Sequence, residues 1–265
     1  MSRRTAVLVI AAVHQPVYIH YIQSYWTELI EYTNSKYPDL DVFLLIENGL
    51  SRTEFAHLGN NVIEDPDTEF RSLVAPRHRR AGVPGILSKT IHALEVLQGD
   101  YDLFFRTNLS SMINVTRFRQ FVQANDEIGY SGAWVWDDGL RSDLIANNWV
   151  GAGRIIEDLS ELDNHPGNTF FSGSGFFLNA SEAASLTKRR GSVRWDLADD
   201  VSVGLMFDQH QHLPGFSTRL LSDQTIDNMM EQLRTTTASH ARLEHFPAEK
   251  AAALWQELKR EPLWR

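Results

Sequence analysis

Apolar runs at residues 5–13, 41–46 and 101–105 constrain the fold of this chain more than any other feature in it. Each is too short for an ordinary helix. The first is rich in Val, Ile and Ala without polar alternation, as expected of a strand covered on both faces. Between the first two runs, residues 17–37 keep a helical period, with Ile22, Trp26, Leu29 and Ile30 on one side and Pro38 closing it. Residues 51–58 read as a short helix and 61–64 as a third strand. This β-α-β-α-β opening predicts a parallel sheet with helices on its faces, an α/β class. Pro84 then opens a further helix and Gly99 closes it, with Leu87, Ile91, Leu94 and Leu97 as its buried stripe. That helix feeds the strand at 101–105.

Directly after this strand comes a polar stop, Arg106-Thr107-Asn108-Leu109-Ser110-Ser111. In open α/β sheets, ligands bind just past the carboxyl ends of strands, which makes the stop a site candidate. An ordinary loop with helix-capping hydroxyls would also read this way. Farther on, Phe170-Phe171-Ser172-Gly173-Ser174-Gly175-Phe176-Phe177 places small residues between apolar pairs. It reads as a strand with a glycine kink, where a backbone or a ligand approaches closely. Asn179 with Glu182 forms a capping-box pattern. Asp199-Asp200 precede a helical Val201/Leu205 pattern, and either carboxylate could serve only as a cap. The remaining expectations are helices at 115–124 and 249–259 and strands at 128–134 and 218–221. An acidic, tryptophan-bearing loop, Trp136-Asp137-Asp138-Gly139, follows 128–134, and an excursion loop at 69–85 carries Arg77-His78-Arg79-Arg80.

The net charge of −9 argues against nucleic acid or an anionic membrane as the main partner, though local basic clusters leave an anionic ligand open. Without cysteine there is no disulfide framework, thiolate metal site or cysteine nucleophile. Arg3-Arg4 ahead of the first run imitates a secretory leader. That run is too short to span a bilayer, and no stretch approaches the roughly 20 apolar residues a transmembrane helix needs. The reading is a buried first strand in a cytoplasmic protein with no integral membrane segment.

Taken in order, these segments resemble the β-1,3-glycosyltransferases and Fringe proteins. Those families read Lys-Thr-Asp-Asp-Asp-Val-Phe-Val-Asn where this chain has Arg106-Thr107-Asn108-Leu109-Ser110-Ser111-Met112-Ile113-Asn114. Phe170 to Asn179 is similar to their glycine-rich strand, and Asp199-Asp200-Val201-Ser202-Val203-Gly204 to their Glu/Asp-Asp-Val-x-x-Gly. Order and approximate spacing match over residues 85–210. The resemblance implies a GT-A-like (Rossmann-type) mixed sheet flanked by helices, as one domain over residues 1–265. Residues 1–110 would form its nucleotide-sugar-binding half and residues 111–265 its acceptor and catalytic half. It implies an inverting glycosyltransferase that moves a sugar from a nucleotide-sugar donor to a hydroxyl of a glycan or small-molecule acceptor. Oligomeric state stays open.

Asp200 would be the general base, since one base suffices for a single inverting displacement. The donor and its diphosphate would meet Arg106, Thr107, Asn108, Ser110, Arg77, Arg79, Arg80, Lys89 and His240. The acceptor would meet Trp136, Asp138, Ser172, Gly173, Ser174, Gly175 and Asp199. The families' Asp-x-Asp motif holds a divalent metal against the diphosphate, but its acidic positions are here the neutral Asn108 and Ser110. Three alternatives follow. Asn108, Ser110 and His240 hold Mn2+ or Mg2+ through their remaining donors, or basic residues replace the metal altogether. Otherwise the chain is a catalytically inactive GT-A-like sugar- or nucleotide-binding protein. A nucleotidyltransferase would be expected to carry a glycine-rich, lysine-bearing phosphate loop after the first strand, which Val13-His14-Gln15-Pro16 is not.

Overall fold

A computed structural model describes residues 3–11, 16–47, 52–66, 84–136, 170–193, 199–244 and 246–260. Its centre is β1 (Thr5–Ile10), every residue of which is buried. Two parallel neighbours flank it, β2 (Leu40–Glu47) and β4 (Leu103–Asn108). The absence of alternation in these strands has a direct cause, because apolar layers cover both faces of the sheet. Val7, Val9, Val42, Leu44 and Phe105 point into one core with Trp26 and Ile30. Ala6, Leu8, Phe43, Leu45 and Phe104 point into another with Leu87, Ile91 and Leu94. Successive side chains of a strand leave on opposite faces, so both positions of the repeat must be apolar.

The full sheet has seven strands in the order β10-β6-β9-β4-β1-β2-β3. Here β3 is Val62–Asp65, β6 Ser131–Gly132, β9 Gly175–Asn179 and β10 Gln211–His212. β9 runs antiparallel to β4 and β6, so the α/β class with a mixed sheet flanked by helices is as expected. The helical stretch after β1 is α1 (Pro16–Tyr21), a π-helical turn (Ile22–Trp26) and α2 (Thr27–Lys36). The short helix is 3-10 (Arg52–Asn61), bent at Gly59, and α3 is Pro84–Val96.

A second, three-stranded sheet has the order β11-β12-β5, with β5 at Ser111–Ile113, β11 at Ser217–Leu221 and β12 at His240–Glu244. β12 pairs antiparallel with β5, setting Arg242 opposite Ser111. Two short strands, β7 (Val135–Trp136) and β8 (Phe170–Phe171), pair separately. α4 (Val115–Ala124) is capped by Asn114, and α5 (Ala180–Lys188) has the full capping box of Asn179 and Glu182. α6 (Asp199–Gly204), α7 (Ile226–Thr235) and α8 (Ala248–Arg260) complete the described elements. No helix among the described residues is long and apolar enough to cross a membrane.

The polar stop expected at residue 106 is instead the end of β4, which continues through Asn108. Arg106 pairs in register with Leu8 and Phe176, and Thr107 with Val9 and Gly175. The extension holds because both neighbours continue beside it and because the buried polar side chains find partners. The strand order reverses between β2 and β4 around β1, which puts a topological switch point at this edge.

Candidate functional site

The glycine-bearing turn and the two aspartates meet at the carboxyl end of β4. β9 enters the sheet at Gly175 opposite Thr107, so residues 172–174 lie level with and just beyond that end. The turn is closed by Gly175 N–H donating to the Ser172 carbonyl at 3.1 Å. Ser174 Oγ lies 3.0 Å from Ser172 Oγ. Gly173 N–H donates to Asp200 Oδ2 at 2.9 Å. A Cβ on Gly173 would stand 2.9 Å from Arg106 Nη1 and 3.4 Å from Asp200 Oδ2, so a side chain here would displace the Arg106 guanidinium.

Arg106 joins these parts, but not as a donor ligand. Its guanidinium donates to the Gly173 carbonyl and forms an ion pair with Asp199, and both side chains are largely buried. Strand alternation sends Arg106 to the same face as Phe104, where it lies over the Phe176 ring at 5.6 Å. A cation in this place must have an internal counter-charge, and Asp199 supplies it. Arg106 and Asp199 are thus each other's partners. This corrects the expected roles, in which one faced the donor and the other the acceptor.

Thr107 takes the opposite face. Its hydroxyl donates to the Ser174 carbonyl at 2.8 Å and lies 3.1 Å from His240 Nε2. With its one proton given to Ser174, Thr107 can only accept from the ring, so Nε2 carries the hydrogen. Nδ1 then accepts from the Ser217 hydroxyl. His240 is fully buried, stacked on Phe216 and edge-on to Phe105. Burial, with the Arg242 charge as a smaller cause, pushes its pKa from 6.5 down to about 3. Both nitrogens are committed inside the protein, which corrects the expectation of His240 as a metal or diphosphate ligand. It braces β4 against the second sheet.

Lys89 is corrected in the same way. It donates to the Ala11 carbonyl at 2.7 Å and pairs with Glu47 at 2.6 Å, with almost no exposure. Burial pushes its pKa down, with Glu47 opposing. It ties the carboxyl ends of β1 and β2 together and has no charge to spare for a ligand.

Asn108 is half-buried, and Ser110, also half-buried, receives a hydrogen bond from Arg242 through its hydroxyl. Leu109 between them is buried, and its carbonyl accepts from Trp26 Nε1 at 2.9 Å. Arg77, Arg79, Arg80 and Asp138 lie outside the described residues, as does the side chain of Trp136. Among the described residues no three His, Cys, Asp or Glu side chains converge where a metal could be held. Arg242 was missed in the sequence. Its signal was the alternation His240, Arg242, Glu244, which puts these three on one face of a strand.

A groove of about 750 Å3 lies at the opposite, amino end of the strands, between Asp41, Val62, His92 and Tyr101. None of the residues placed at the switch point lines it.

No family model matches this chain, and no curated protein is significantly similar to it in sequence. Its shape has likenesses among solved structures. The galactosyltransferase LgtC, in complex with donor and acceptor sugar analogues, is 12% identical over 96% of this chain and 94% of its own, with a TM-score of 0.48. Mouse xyloside xylosyltransferase 1 is 10% identical over 92% of this chain and 98% of its own, with a TM-score of 0.49. Glucosyl-3-phosphoglycerate synthase from Mycobacterium tuberculosis, bound to Mn2+, UDP-glucose and phosphoglyceric acid, is 14% identical over 97% and 77%, with a TM-score of 0.40.

Proposed function

We propose that this chain is a glycosyltransferase of the GT-A kind, with Asp200 as the general base of a single inverting displacement. The observation that carries the reading is the convergence of Asp200, the 172–174 turn and the Asn108–Ser110 segment at one strand end beside a switch point. Ligands of open α/β sheets bind at such an edge, and a carboxylate fixed there is placed to take a proton from them.

In this reading the donor is a nucleotide sugar lying across the ends of β1 and β4. The acceptor is a glycan or small molecule whose hydroxyl meets Asp200. The acceptor oxygen attacks the anomeric carbon while its proton passes to the Asp200 carboxylate. The bond from that carbon to the phosphate oxygen breaks, and the nucleoside diphosphate leaves with the electron pair. One new glycosidic bond replaces one sugar–phosphate bond, with inversion at carbon. Asp199 is committed to Arg106 and supplies no second carboxylate for a double displacement. Its part is to hold the first turn of α6 against β4, which fixes the residue beside it.

The test is to screen sugar nucleotides for consumption by the full chain and then to repeat the assay with Asp200→Asn. A base acts mainly in the transition state, so kcat should fall by roughly 10^2–10^4-fold while donor affinity stays within a few-fold. A variant that turns over at the wild-type rate removes Asp200 from the mechanism. A wild type that binds donor and never consumes it makes the chain a sugar-nucleotide-binding protein.

A further inference from the structure

The cations along the carboxyl edge of the sheet differ in what already neutralises them. Arg106 is paired with Asp199 and Lys89 with Glu47. Arg242 makes no ion pair among the described residues. Glu244, two positions along the same strand, pairs with Arg219 at 3.2 Å instead. The Arg242 guanidinium donates to the Ser110 hydroxyl and lies 3.4 Å from the Ser110 carbonyl. It is only partly exposed, and burial pushes its pKa down, although an arginine starts far too high to lose its proton. A cation withdrawn from water whose direct partners are neutral oxygens, with Glu244 opposing the burial only at a distance, is costly, and a bound anion recovers that cost.

The same residues do not suit a metal. A hard divalent ion needs several oxygen ligands, preferably anionic. Asn108 and Ser110 are neutral, the Ser110 hydroxyl already receives a hydrogen from a guanidinium, and both His240 nitrogens are used inside the protein. A cation seated between Asn108 and Ser110 would face the positive charge of Arg242 at close range.

We propose that Arg242 supplies the positive charge at the end of β4 that a divalent metal would otherwise supply, and that it binds the diphosphate of a nucleoside diphosphate or nucleotide sugar. The proposal rests on the donor reading given above and deepens it. The planar fork of arginine matches two phosphate oxygens at once. Ser110 orients the fork from below, and the antiparallel pairing of β12 with β5 fixes its height above the strand end. The neutral Asn108-Leu109-Ser110 and the arginine across from them then form one device, in which the carboxylates are absent because the cation is covalently part of the chain.

The test uses UDP and GDP as probes, each beside its nucleoside, titrated into the full chain in EDTA and again in MnCl2. One diphosphate is expected to bind equally well in both buffers. Arg242→Gln should weaken it by about ten- to a hundred-fold, the usual worth of hydrogen bonds to a charged group, while leaving the nucleoside unaffected. Arg242→Lys keeps the charge without the fork, should fall between, and serves if the Gln variant does not fold. Diphosphate affinity unchanged in Arg242→Gln, or wild-type binding that needs Mn2+, overturns the proposal and leaves the transferase reading standing. A wild type that binds neither diphosphate overturns both.

Discussion

Arg106 shows what a sequence discloses at the scale of one residue and what it withholds. Its place at the site was legible, because a basic residue followed by Thr107 and Asn108 closes an apolar run where ligands bind. Its partner was not. Which of several nearby charges a long side chain reaches depends on strand direction and on the depth of burial, and neither is written in the motif. Asp199 and Asp200, expected as an acceptor contact and as the general base, are divided by that reach, with one held in an ion pair and the other receiving a backbone N–H. The division makes a prediction. Arg106→Met leaves the Asp199 carboxylate largely buried without its counter-charge, and removing one member of a buried pair costs about 3–5 kcal/mol. For a chain of this size that is a fall in melting temperature on the order of 10 °C. Replacing both members with Arg106→Met and Asp199→Leu should recover much of the loss, read as a double-mutant cycle of melting temperatures. A cycle without coupling would mean that the pair contributes nothing as a pair.

Among elements, legibility follows the size of the apolar signal. β1, β2 and β4 declared themselves because strands buried on both faces leave no room for polar alternation, and α3 did so through its stripe and its Pro and Gly ends. Of the second sheet only β11 did, as the strand expected at 218–221. β5 is three residues long, and β12 mixes His240 and Arg242 with Ala241 and Leu243, so neither carries a continuous apolar run. The site cannot be understood without that sheet, since β12 delivers both His240 to Thr107 and Arg242 to Ser110. Its attachment to β4 should depend on pH. The His240 pKa stands near 6.5 when unfolded and about 3 when folded, so between those values the unfolded chain binds the extra proton. Stability from this group is complete above about pH 6.5 and declines as pH falls toward 3. At pH 5 the loss is about 2 kcal/mol. His240→Phe keeps the ring and discards the titration. It should melt lower at pH 7, yet lose less than wild type between pH 7 and pH 5. If both proteins lose equal amounts, another group carries the acid sensitivity.

At the scale of the whole molecule the charge distribution opposes the proposed ligand. A chain of net charge −9 repels a dianionic diphosphate at long range, and only local cations can hold it. Two arrangements of those cations predict different responses to salt. A site that relies on several charges acting together at a distance, as the Arg77-His78-Arg79-Arg80 run could supply, loses affinity steeply as salt screens each of them. A single, mostly buried guanidinium in direct contact is screened much less, because little water or salt comes between it and the phosphate. The same added salt also screens the repulsion from the rest of the chain, whose charges lie mostly beyond the Debye length of about 10 Å at 0.1 M. These effects offset each other when Arg242 is the principal contact. Diphosphate affinity is therefore expected to change little, about two- to three-fold, between low and moderate salt. Ligand-induced stabilisation reads this directly. At 100-fold excess over its dissociation constant a ligand adds about 2.7 kcal/mol, which for a chain of this length raises melting by roughly 5–10 °C. That increment should persist as salt is raised in wild type and shrink at every salt concentration in Arg242→Gln. An increment that vanishes with salt in wild type would move the anion site from the contact at β12 to the basic run.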